Sequence, residues 1–131
     1  MLKAKDRFIE DMKPEVEAFL YNIASAVPGF SGKCADELMG TYKSTAETAI
    51  KEMTLIACGK YPEAFCKYVI MRACEQFLLN PSKKFDADSK AVLSVYEAVL
   101  KAIAADPKKP AGIHNETRLD FVKHELAKKM K

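Results

Sequence analysis

Residues 62–79 read PEAFCKYVIMRACEQFLL. Apolar side chains at Phe65, Tyr68, Val69, Ile70, Met71, Phe77, Leu78 and Leu79 leave this stretch little room for a wet face. Pro62 suits the first turn of a helix, where its missing N–H has no partner to lose, and Pro81 marks the far end. A helix that is apolar nearly all round must be surrounded by others. The stretch therefore predicts an all-α bundle with this segment, the third in chain order, as its central helix.

The rest of the chain is cut to match. Pro28-Gly29, Gly59, Asn80-Pro81 and the run from Pro107 to Gly112 divide it into about five helix-length segments. The first, from about Lys3 to Val27, carries Phe8, Ile9, Met12, Val16, Phe19, Leu20, Ile23 and Val27 on one stripe. Pro14 predicts either a kink there or a second helix starting near it. The second segment is predicted to run from Ser31, as N-cap, to Gly59, as the residue just past its end. Its stripe is Leu38, Tyr42, Ala46, Ala49, Met53 and Ile56. The fourth, Ala87 to Ala105, has Asp86 as its cap and Val92, Val95, Tyr96, Val99 and Ile103 on its apolar side. The fifth, Glu116 to about Met130, turns Leu119, Val122, Leu126 and Met130 inward, with Asn115 as cap.

With 131 residues, 49% of them apolar and 30% charged, the chain supports one domain over residues 1–131 with a single core. Lys67, Arg72 and Glu75 interrupt the most apolar stretch too often for a membrane span. The opening residues carry charge with no apolar run behind them, so a cytoplasmic location is expected, or a secreted one if Met1 is not the native start. Net charge is +3, and it is unevenly placed: residues 1–100 carry −1 and residues 101–131 carry +4.

Chemistry is sought first at Cys34, Cys58, Cys66 and Cys74. Their closest pairs are eight residues apart, too far for the paired ligands of a structural zinc site, and no metal or cofactor is expected. Cys66 and Cys74 fall in the apolar helix as small buried hydrophobes. Cys34, beside Lys33 in the first turn of a helix, is the expected reactive thiol, since backbone N–H groups and a cation both favour thiolate. No base stands near it in the sequence, which argues against an enzyme. Free thiols are preferred to disulfides for want of a leader. Asn115-Glu116-Thr117 matches a glycosylation acceptor but is explained by capping alone.

One residue fits its helix badly. At about 100° per residue Phe121 points away from Leu119, Val122 and Leu126, among Arg118, Glu125 and Lys128. An exposed aromatic ringed by cations is the sort of anchor that protein interfaces use. Phe121, Arg118 and Lys128 are thus the expected partner-binding residues of a non-enzymatic adaptor module. The alternative is a secreted, disulfide-bonded carrier of an apolar small molecule held between helices. Nucleic-acid binding through Arg118, Lys123, Lys128, Lys129 and Lys131 ranks lower, because Asp120 and Glu125 dilute the patch and no aromatic platform flanks it.

Overall fold

The computed structural model of the protein describes residues 4–106 and 116–129. Its elements are α1 (Ala4–Ala24), α2 (Gly32–Met39), α3 (Tyr42–Met53), α4 (Leu55–Lys60), α5 (Pro62–Leu79), α6 (Ala87–Ala105) and α7 (Glu116–Lys129). The all-α class is as the sequence predicts. The count is seven among the described residues, not about five, because the second predicted segment is three helices.

α5 takes the central place its composition requires. It packs against each of the other six described helices, most extensively against α6. Phe65, Val69, Ile70, Met71, Cys74 and Leu78 are almost wholly withdrawn from water. Burial of one such side chain stabilises by about 1.5–3 kcal/mol before conformational entropy is set against it. α6 lays Val92, Val95, Tyr96, Val99 and Ile103 against α5, the predicted stripe without exception. Asp86 caps α6 by accepting the Ser89 N–H at 3.0 Å.

α1 runs unbroken through Pro14, so the two-helix alternative does not occur. Pro14 and Glu10, whose carbonyl loses its ladder partner to the proline, both lie on the exposed side, where water can satisfy that carbonyl. Ile9, Val16 and Leu20 are buried on the opposite side, and the Tyr42 hydroxyl donates to the Ile9 carbonyl, tying α3 to α1. The break after α1 is the predicted one: Gly29 has φ +84°, a conformation that favours glycine.

The second segment departs from its prediction at Gly40 and Thr54. Gly40 caps the end of α2, and the Thr41 hydroxyl donates to the Leu38 carbonyl at 2.9 Å. These local bonds compete with continuation of the helix. Ser31 caps the start as predicted, accepting the Cys34 N–H at 3.3 Å. Thr54 has φ 72° and ψ 152°, and its Oγ1 accepts the Ala57 N–H at 3.2 Å, which starts α4. Gly59 therefore lies inside α4 and does not end the segment. Leu38, Tyr42, Ala46, Ala49 and Met53 are buried as predicted. Ile56, placed on the same stripe by extrapolating across Thr54, is 84% exposed.

A β-branched residue at this φ and ψ is strained by about 1–3 kcal/mol. Thr54→Gly removes that strain along with the cap, and the two effects nearly offset. Thr54→Val loses the cap and keeps the strain. In urea unfolding Thr54→Gly is expected within about 0.5 kcal/mol of the parent and Thr54→Val about 1 kcal/mol below it. The reverse order would remove the strain assigned to Thr54.

Candidate functional site along the α5–α7 seam

Glu75 is the one charge on α5 that the packing buries, and a buried carboxylate needs partners. It has three. Arg118 at the start of α7 grips it with both prongs, Nε to Oε2 at 2.8 Å and Nη2 to Oε1 at 2.9 Å. Tyr96 of α6 donates its hydroxyl to Oε2 at 2.7 Å. Arg72, one turn earlier on α5, donates from Nη1 to Oε1 at 3.2 Å. Burial disfavours the Arg118 charge, but the bonds to Glu75 outweigh it and the guanidinium sits above its ordinary pKa. Burial, and then the bond to the carboxylate, raise the Tyr96 hydroxyl well above its usual value.

Arg118 is therefore turned inward, contrary to its expected place among the partner-binding residues. Its guanidinium also lies 5.8 Å from the centre of the Tyr68 ring. The far end of α7 is held as well. Lys129 donates to the carbonyls of Leu78 and Asn80, at 2.7 and 2.5 Å, where the end of α5 leaves acceptors open. Val122 and Leu126 are buried between these two fastenings, and Leu119 is half-buried. Asn115 and Met130, predicted to cap α7 and to extend its stripe, lie outside the described residues.

Phe121 is 56% exposed, on the side of α7 that the sequence assigned to it. It does not stand alone. With Leu79, Pro81, Glu125, Lys128 and Lys129 it lines a surface cleft of about 410 Å3. A second cleft of about 330 Å3, formed by Arg72, Glu75, Gln76, Leu79, Asn80 and Pro81, shares Leu79 and Pro81 with the first. The two clefts share this wall, and the surface they line together, from Arg72 to Lys128, is the groove. Lys128 lies at its edge, exposed and 3.5 Å from Glu125.

The cations grouped as a nucleic-acid surface are mostly engaged within the chain. Arg118 holds Glu75, Lys129 caps α5, Lys123 stands 3.7 Å from Glu97 and Lys128 pairs with Glu125. Lys131 lies outside the described residues. No helix among the described residues is long and apolar enough to cross a membrane, and no cluster of metal-ligating side chains occurs among them.

All four cysteines are free thiols and buried. For Cys66 and Cys74 this is the predicted state. Cys34 is different: it lies in the first turn of α2 as expected, but at 1% exposure it lacks the access that a reactive thiol needs. The Ser31 hydroxyl donates to its sulfur at 3.5 Å. Burial pushes the Cys58 thiol up to about 11 and that of Cys66 up to about 12, and raises Cys74 further.

The sequence reading missed the role of Glu75. Its signal is present, since a carboxylate in a helix without a wet face demands a cation, but which cation depends on the path of α7. No protein-family model, curated protein or solved structure matches the chain. Function is read from the groove itself.

Two outcomes are expected. Glu75→Ala strands Arg118 and the Tyr96 hydroxyl and should cost about 3 kcal/mol or more in chemical unfolding. The double replacement Glu75→Leu with Arg118→Leu should recover most of the loss. A cost below about 1 kcal/mol for Glu75→Ala would show that the cluster does not hold α7. The thiols give a pH dependence. Their folded pKa values lie above the unfolded value of 9.0, so the stability they contribute is complete below pH 9 and is lost as pH rises toward 11 to 12. Urea midpoints should fall steadily above pH 9, and a midpoint unchanged to pH 10.5 would contradict the burial of these groups.

Proposed function

We propose that the chain is a non-enzymatic interaction module that binds a protein partner along the groove between α5 and α7. The observation that carries this reading is Phe121. An aromatic ring left 56% exposed, lining a cleft with Leu79 and Pro81, offers apolar area that a partner can remove from water. The helices on either side are fastened by Glu75–Arg118 and by Lys129, so the groove is held in shape before anything binds. Lys128 stays at its rim in this reading, whereas Arg118 acts only from behind, by holding α7 in place. Carriage of an apolar ligand is the weaker reading, because the cysteines are free thiols and the clefts of the groove open at the surface.

The test places a benzophenone amino acid at position 121 of the full chain in cells of its native host, with position 44, exposed on α3, as control. A discrete protein adduct at 121 and none at 44 is expected. The captured protein is then titrated against the parent and Phe121→Asp. Phe121→Asp should keep its helical circular dichroism and bind at least about thirtyfold more weakly, the loss of an interface hot spot. Equal affinity, or equal capture at both positions, would refute the reading.

A further inference from the structure

We infer that the groove takes an acidic segment of its partner, a short stretch with one large apolar side chain flanked by carboxylates. This rests on the interaction-module reading and specifies the ligand. It follows from how the charges along the groove cancel.

At one end Glu75 carries a single negative charge and meets two guanidiniums. Arg118 takes both of its oxygens, so the charge of Arg72 is left over. Arg72 is 31% exposed, lines the cleft, and bonds Glu75 only through Nη1 at 3.2 Å. Its Nε is buried without an acceptor. Nε itself is closed to a ligand, but the exposed remainder of the planar guanidinium, at the wall of the cleft, is suited to a carboxylate.

The other end is similar. Glu125 is 3.5 Å from Lys128, and Lys129 lines the same cleft, so two lysines there face one carboxylate and one positive charge is again in excess. The last carbonyls of α5 would repel an acid there, as the negative end of the helix dipole. Lys129 covers them, by its bonds to Leu78 and Asn80. Desolvation, and after it the nearby Lys83, which is itself paired with Glu37, lower the Lys129 pKa.

Between the two ends lies an apolar stretch of Leu79, Pro81 and Phe121. The groove thus runs positive, apolar, positive. Arg72 and Leu79 are seven residues apart on one helix, roughly 10 Å along its axis. An extended peptide covers that distance in about three residues. The complementary ligand places an Asp or Glu about three residues from a Phe or Leu, with a second acid on the far side facing Lys128.

The test uses fluorescein-labelled twelve-residue peptides and the full chain. One set carries a central Phe with Asp or Glu at spacings of one to four residues on each side. A matched set has Lys for the acids, another has Ala for the Phe, and a dT12 oligonucleotide serves as a plain polyanion. Acidic Phe peptides are expected to bind at least tenfold tighter than either matched set. Binding should weaken about tenfold in Lys128→Glu and in Phe121→Asp, and also on raising salt from 50 to 500 mM. Arg72→Gln should weaken peptides with the three-residue spacing more than the others.

Preference for the Lys set would overturn the inference. So would binding that survives the Phe to Ala change and is displaced by dT12, which would mark an unselective polyanion surface. If no acidic peptide binds while position 121 still captures a partner in cells, the acidic ligand is wrong and the interaction reading stands. Silence in both experiments refutes both.

Discussion

A carboxylate that packing buries on a nearly all-apolar helix has to be answered by a cation from elsewhere in the chain. In this protein that demand comes from Glu75, and Arg118 meets it across 43 residues of sequence. The consequence reaches beyond the pair. The bidentate bond fixes where α7 begins on α5, and Lys129 fixes where it ends, so a helix with few fully buried side chains of its own is held in one position. The groove exists because α7 is held there, and Phe121 is exposed for the same reason.

The same arrangement separates two kinds of cation that look alike in the sequence. Arg118 and Lys128 are ten residues apart on one helix, and both appeared to surround an exposed ring. Arg118 is spent on Glu75, where its planar fork matches a carboxylate that a lysine ammonium could bond only as a point charge. Lys128 remains at the rim. Charge in the last segment is therefore taken up in structural bonds at Arg118 and Lys129 and exposed at Lys128, which a count of net charge does not distinguish.

Periodicity made most of the fold legible. The central place of α5, the buried stripe of α6, the Ser31 and Asp86 caps and the outward turn of Phe121 all follow from spacing and from proline and glycine positions. The division of the second segment was not legible in the same way. Ala46, Ala49 and Met53 keep their helical period up to Thr54, and the chain then turns through a strained backbone that no hydrophobic pattern records. The sign was the threonine hydroxyl, which can cap a new helix where an alanine could not. Ile56 was misplaced because a period was carried across that break. Cys34 was misjudged for a different reason. Position in a first turn describes the local field but not what packs above it, and the surrounding helices exclude the solvent that reactivity requires. The Glu75 cluster joins side chains from α5, α6 and α7, so its members could be suspected singly while their meeting could not be read from any one stretch.

The chain contains no tryptophan and five tyrosines, and three of those, Tyr42, Tyr68 and Tyr96, are buried. Its near-ultraviolet spectrum is therefore a tyrosine spectrum, and one of the contributing phenols hydrogen-bonds directly to the carboxylate that anchors α7. A phenol bonded to a carboxylate absorbs and emits differently from one in water. Tyr96 is thus an intrinsic optical probe of whether the last helix is seated, one that needs no label.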